Sequence, residues 1–296
     1  MIAFGTSIAE PEPYRRYAEP GIRRVAEADS AIFPFAAVGP IARTYNLILD
    51  EAARRQDLEA LVLVEAQTEI DDPQFCARVR TALSRPDVGV VGCAGAAGVT
   101  SIAWWEGDVS AARVRQRYGE HGGGELPAFS WARCKPPPAE VDAVDGLLMV
   151  LSPWVVRNVR FDEGLRGHGF DLDFCFQVRA AGREVLTADL RVIHHRSLDL
   201  IGDIDAWIEA HMRAAEKWHP GDEDGEDWRQ RARRAEAERE AARAIAYSGG
   251  LSWDARVTQL ERRLAAATAT RSWRVTMPLR HINRLRVLAT ERRRRA

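Results

Sequence analysis

Short apolar runs at 2–8, 31–38, 60–65 and 88–93, separated by segments of helical period, constrain this chain more than any other feature. Runs of this length suit buried strands, and their alternation with amphipathic helices is the order of a mainly parallel sheet covered on both faces. Between them Ile41, Tyr45, Ile48, Leu49 and Ala52 recur at helical spacing. So do Phe75, Val79 and Leu83, after an Asp72-Pro73 start in which the aspartate can cap free amides. Pro86 ends that helix, and Pro20 is expected to kink or divide helical turns around Tyr14, Tyr17, Ile22 and Val25. With 296 residues, 46% of them hydrophobic, the chain can bury a full core.

Farther along, the glycine- and alanine-rich residues 94–99 read as a loop lining a cleft, and 122–138 as an irregular crossing. A strand is expected over 141–151, a helix over 171–181 ended by Gly182, and short strands over 184–188 and 190–194. Asp203 can cap a last helix carrying the stripe Ile204, Trp207, Ile208, Met212 and Ala215. From 221 onward Glu, Asp, Arg and Ala dominate, with a short seam of Val257, Leu260 and Leu264. The expected division is therefore a domain over 1–220 and a charged helical extension, outside the core, over 221–296. A net charge of -1 gives no overall pull towards nucleic acid. Cys76, Cys93, Cys134 and Cys175 lack metal or disulfide spacing and read as buried apolar residues. The start of the chain lacks the pattern of a signal peptide, which leads us to expect a cytoplasmic protein.

Four segments carry chemistry: Val144-Asp145-Gly146-Leu147, Phe161-Asp162-Glu163-Gly164, Gly167-His168-Gly169-Phe170-Asp171-Leu172-Asp173 and Val192-Ile193-His194-His195. In this order they resemble the catalytic half of the family 2 glycosyltransferases, in the group of short bacterial members. The resemblance implies a GT-A fold: an α/β, mainly parallel mixed sheet flanked by helices, followed here by a C-terminal helical extension. It also implies transfer of a sugar from a nucleotide-sugar donor, with inversion, to a hydroxyl of a glycan, a lipid-linked intermediate or a small molecule.

Residue by residue, the resemblance makes Asp171 the base that removes the acceptor proton, helped by Asp173. Their plainer reading is that both simply charge the N-terminus of a helix. Asp145, with Gly146 and Gly169, would orient donor or acceptor. His194 matches a histidine near the diphosphate and its metal; His195 is the adjacent alternative, and strand alternation sends the two rings to opposite sides. Thr6 and Ser7 end the first strand, where open α/β sheets bind ligands, and Asn46 is a further substrate-side candidate.

The upstream stretch Glu65-Ala66-Gln67-Thr68-Glu69 follows the family pattern without its usual aspartate pair. Glu65, Gln67 and Glu69 are the oxygen donors left to hold Mn or Mg together with His194. Without an ion, Arg133, Arg166 or Arg196 could offset the phosphate charge. That departure also leaves open a degenerate domain that binds nucleotide or glycan, or scaffolds a partner, without transfer.

The tail element Ser272-Trp273-Arg274-Val275-Thr276-Met277-Pro278-Leu279-Arg280 looks like one found at the ends of bacterial surface-polysaccharide glycosyltransferases. Trp273 and the nine arginines of 271–296 could rest on an anionic membrane at its inner face or pack on the domain. Acidic residues alternate through the extension, and no nucleic-acid-binding motif is present.

Overall fold

The computed structural model describes residues 1–112, 114–118, 124–126, 133–196, 201–218 and 226–269. The chain divides into two compact units, Met1–Ser248 and Gly249–Ala296. Residues 270–296, which include the tail element, lie outside the described residues.

In chain order the first unit opens with β1 (Ile2–Ile8), α1 (Pro11–Pro13), α2 (Glu19–Val25), β2 (Ala31–Ala36), α3 (Ile41–Ala53) and β3 (Ala60–Val64). There follow β4 (Thr68–Ile70), α4 (Phe75–Ala82), β5 (Val88–Gly92), β6 (Ala94–Ala97), β7 (Val109–Ala112) and β8 (Val114–Tyr118). Next come β9 (Gly124–Leu126), β10 (Arg133–Lys135), β11 (Ala139–Glu140), β12 (Ala143–Val144), β13 (Leu148–Leu151) and α5 (Pro153–Asn158). Last are α6 (Phe170–Ala180), β14 (Glu184–Thr187), β15 (Val192–Arg196), α7 (Ile204–Trp218) and α8 (Glu226–Ala269).

The main sheet has seven strands in the order β11-β14-β5-β13-β3-β1-β2. β1 runs parallel to β2 and β3, and β14 parallel to β5, while β13 lies antiparallel between β3 and β5. This is the mixed α/β sheet flanked by helices that the sequence pattern led us to expect. Two smaller sheets, β10-β7-β6-β12 and β4-β15-β8-β9, stand beside it. Side-chain alternation divides the core: Leu61 and Leu63 of β3 face the cluster holding Tyr45, Val155 and Phe174, and Ala60, Val62 and Val64 face the cluster holding Ile22, Phe75 and Val79.

Pro20 does not divide the first helical stretch. A π-helical turn, Tyr14–Ala18, joins α1 to α2, and the N–H of Glu19 reaches back to Tyr14 O. The wider turn absorbs the misfit of a residue without an N–H. The run 94–99 is not simply a loop, because Ala94–Ala97 forms β6, paired antiparallel with β7 and β12. Its small side chains serve close strand approach; a Cβ on Gly95 would collide with the Ala143 carbonyl.

Nor is 141–151 one strand. The chain leaves the small sheet after β12 and enters the main sheet at β13, and Asp145-Gly146-Leu147 makes the crossing. On α7 the expected cap holds, Asp203 Oδ1 accepting from Ala206 N–H at 3.0 Å. The stripe is rotated, however: Ile204 is 46% exposed, while Trp207, Ile208, Ala210, His211 and Ala214 are buried. The reason lies in α8, whose Ala237, Ala241 and Ala244 are buried in one cluster with α7, so the residues after 221 are not all outside the core. No helix among the described residues is long and apolar enough to cross a membrane.

Candidate active site

The strand crossing at Asp145, the end of β3, the start of α6 and β15 converge beyond the carboxyl end of β3. The N–H of Glu65, just past β3, donates to Leu147 O at 3.0 Å. Asp145 is locked by its neighbours: its N–H donates to Ala94 O at 2.9 Å, and its Oδ1 accepts from Leu147 N–H at 3.0 Å.

Asp171 is delivered by a turn only glycine makes comfortably. Gly169 caps α6 at φ 72°, where a Cβ would lie 2.7 Å from Ile102 Cγ2. Asp171 Oδ2 then accepts from Gly146 N–H and Oδ1 from Leu172 N–H, both at 2.9 Å. Gly146 must also be bare, since its Cβ would come within 2.7 Å of Phe170 Cζ. Loss of water around the Asp171 carboxyl, followed by repulsion from Asp145, raises its pKa to about 7; the backbone N–H donors oppose the rise. Burial raises Asp145 too, against the attraction of His194 and Arg196, with Glu65 adding to the rise.

His194 is 6% exposed, and its Nε2 lies 3.0 Å from Glu65 Oε2. Neither ring nitrogen makes an aligned hydrogen bond among the described residues. Surrounding protein atoms push the Glu65 carboxyl up, but the charges of His194 and Arg196 outweigh them and hold it below the ordinary value. Glu65 nevertheless keeps 40% of its side chain open to solvent, as a residue lining a cleft would.

Other buried polar atoms without a hydrogen-bond partner among the described residues include Thr6 Oγ1 on β1, the Tyr45 hydroxyl on α3 and Thr68 Oγ1 on β4. The pKa of Tyr45 is driven up by burial and then by the charges of Glu65 and Asp171, which keeps its proton in place as a donor. Sequence reasoning took Tyr45 only as part of an apolar stripe. The available signal was a phenol, which ordinarily needs a partner, on an otherwise apolar helix face.

The remaining candidates are placed elsewhere or spent on structure. Glu69 and His195 pair with each other, Oε2 to Nε2 at 3.0 Å, and His195 stacks on Tyr17 with ring centres 3.8 Å apart. Gln67 accepts the His195 N–H through its backbone carbonyl at 2.9 Å. Thus Glu65 and His194 come together, whereas Glu69 is engaged with His195 and Arg24. Asn46 clamps the segment before α6, giving Nδ2–H to Phe161 O and accepting Phe161 N–H at Oδ1.

Asp173, fully buried, accepts from Gln177 Nε2 and Trp218 Nε1, both at 2.8 Å, and pairs with Lys217 at 2.7 Å. Ser7 is partly buried on β1 beside Phe35. Of the three arginines, Arg196 acts on Glu65 and Asp145, Arg166 is exposed, and the side chain of Arg133 lies outside the described residues. Cys76, Cys93 and Cys175 are free and buried. Among the described residues, no group of three or more His, Cys, Asp or Glu side chains is arranged to hold a metal ion.

A carboxyl titrating near neutrality beside a second carboxyl, facing an imidazole–carboxylate pair at the end of a sheet, can accept a proton on one side and hold charge on the other. The profile of the glycosyltransferase-like family matches residues 22–201, which spans all these groups. The chain belongs to that family. It is 29% identical over 224 residues to the streptomycin biosynthesis protein StrF of Streptomyces griseus, covering 74% of each chain. It is also 28% identical over 176 residues to the O-antigen biosynthesis protein RfbC of Myxococcus xanthus, covering 55% of this chain and 13% of that protein.

Among solved structures, GalNAc-T7 with UDP, GalNAc and Mn2+ aligns at TM-score 0.49 and 10% identity over 74% of this chain and 48% of the other. The mannosyltransferase PcManGT from Pyrobaculum calidifontis with GDP-Man and Mn2+ aligns at 0.43 and 14% identity over 93% and 81%. The family assignment rests on the sequence matches, not on these distant likenesses.

Proposed function

We propose that this glycosyltransferase-like chain transfers a sugar from a nucleoside diphosphate donor to a hydroxyl acceptor, with inversion at the anomeric carbon. The observation that carries the reading is Asp171, a carboxyl held by two backbone N–H groups and raised to about 7 beside Asp145. A base of that strength is half ionised near neutral pH and can take the acceptor proton as the acceptor oxygen attacks. In the same step the bond from the anomeric carbon to the diphosphate oxygen breaks and its electrons leave with the nucleotide.

Gly146 holds Asp171 through its N–H, and Asp145 orients donor or acceptor. Thr6 and Tyr45 offer buried hydroxyl donors that have no partner among the described residues. His194 and Glu65 fit a divalent cation in donor chemistry, since a buried imidazole without an aligned partner stands beside a carboxylate oxygen. Mn or Mg bound there supplies charge neutralisation for the departing diphosphate. Arg196 lends positive charge to the same corner. The acceptor is a glycan, a lipid-linked intermediate or a small molecule. A cytoplasmic chain working at the inner membrane face would use the basic 271–296 segment for contact with anionic lipid.

One observation favours a second reading, a domain that binds nucleotide or glycan without transfer: Glu65 and His194 lack a third acidic or histidine partner among the described residues. Incubation with UDP-, GDP- and dTDP-sugars, followed by mass spectrometry of donor breakdown, separates the two. Turnover in the wild type that disappears in Asp171→Asn supports the transferase. Turnover unchanged in that variant removes the base from the scheme.

A further inference from the structure

A cavity of about 250 Å³ opens between α6, α7 and the first part of α8. Its floor is apolar, formed by Leu172 and Phe176 from successive turns of α6 and by Ala215 and Trp218 of α7. The rings of Phe176 and Trp218 meet edge to face, 5.4 Å apart at 89°. The Trp218 N–H is spent on Asp173, so the indole offers only carbon surface to a ligand.

Thr100, Ser101 and Glu236 add polar groups to the lining. His211, also in the lining and 2% exposed, lies with Nε2 3.6 Å from Glu236 and Nδ1 3.3 Å from the buried Glu240. His211 Nδ1 and Glu240 Oε2 have no aligned hydrogen bond. Ser101 Oγ donates to the other Glu240 oxygen at 2.6 Å.

This lining selects among ligand classes. An acyl chain would leave the Thr100 hydroxyl and the Glu236 carboxylate facing carbon. A phosphate would meet Glu236 with Glu240 behind it, and of the nearby guanidinium groups Arg239 is already paired with both carboxylates, which leaves Arg233 in the lining. A hydroxylated ring satisfies both kinds of group, its C–H face on the aromatic corner and its hydroxyls on the polar side chains. The volume lies just below the range of about 300–1,000 Å³ typical of larger small-molecule sites, which points to one ring.

We propose that this cavity is the acceptor subsite, taking a single monosaccharide or cyclitol ring with Phe176 and Trp218 beneath it and Thr100 and Glu236 selecting its hydroxyls. The proposal rests on the transferase reading. The cavity adjoins the base: Leu172 follows Asp171 directly, and Ile102, next to Ser101, packs over Gly169 at the turn that presents it. α8 is then a wall of the active-site cleft, and acceptor choice depends on residues beyond the matched segment 22–201.

Ligand-detected NMR on the full chain, with glucose, glucosamine and myo-inositol as probes, tests the subsite. Ala215→Phe fills the cavity, and Glu236→Gln removes the wall charge without changing volume should the first variant fold poorly. Binding of at least one ring to the wild type, weakened about ten-fold or more in either folded variant with nucleotide-sugar binding unchanged, is expected. No ring bound by the wild type, or equal binding by wild type and folded variants, overturns the subsite even where a nucleotide sugar binds. Failure of every nucleotide sugar to bind removes the transferase reading, and the acceptor assignment with it.

Discussion

Asp171 and Asp173 stand two residues apart in the first turn of α6 and live in opposite electrostatic worlds. Asp173 is buried against Gln177 of its own helix and against Lys217 and Trp218, which bind α6 to α7. Nearby, Asp162 receives Arg213 at 2.9 Å and Lys217 at 3.4 Å. Among the described residues Asp171 has no cation of its own: two backbone N–H groups hold it, and its charged neighbour is the carboxyl of Asp145. On one side acid is neutralised and serves as a structural tie. On the other it is left short of countercharge, which is where a proton, or the positive charge of a ligand, finds a place.

The largest expected effect is on Asp171. Asp171→Asn should lower kcat by about 10²–10⁴-fold, the usual worth of a general base, while the donor dissociation constant stays the same. If Asp173→Asn did likewise, the distinction between the two carboxyls would collapse. Next in size, Asp173→Ala should destabilise the fold by about 3–5 kcal/mol because Lys217 and the Trp218 N–H lose a buried partner. Urea unfolding of this variant reads that loss, and the same measurement on Asp171→Asn should show a smaller one.

His194→Ala should weaken Mn2+-supported donor binding by about ten- to a hundredfold without a comparable loss of stability. His195→Ala, which removes only the stack on Tyr17 and the pair with Glu69, should leave donor binding unchanged. The mildest test is pH. A base must be ionised, so kcat should fall as pH drops through about 7, with Asp145 and Asp171 titrating as a pair. The same shift opposes folding: an unfolded aspartate titrates near 3.9. The native chain therefore retains a proton between about pH 4 and 7, and the stability this group contributes at low pH is lost as pH rises through its folded value.

Much of the main sheet was legible because β1, β2, β3 and β5 are short apolar runs; β1 occupies the expected residues, Ile2–Ile8, whereas β11, Ala139–Glu140, is too short to read. The run 141–151 misled because hydrophobicity marks burial, not which sheet a strand joins, and the chain changes sheets at Asp145. The residues 94–99 misled through composition, glycine and alanine serving close strand packing as readily as a loop. His211 was hidden because its burial is set by α8, whose alanines gave no apolar stripe strong enough to read. Asp171, Asp145, Glu65 and His194 could be named from motif order, but only the fold separates Glu65, paired with His194, from Glu69, paired with His195. The unpartnered hydroxyls of Thr6 and Tyr45 are facts of packing that no motif records.

The most direct test is calorimetric titration of the full chain and of Asp171→Asn with nucleoside diphosphate sugars, with and without Mn2+. The account predicts that one donor binds both proteins with the same affinity and more tightly with the metal, as expected of a site in which Glu65 and His194 hold the diphosphate end and Asp171 acts only on the acceptor. Binding to neither protein under either condition would contradict it.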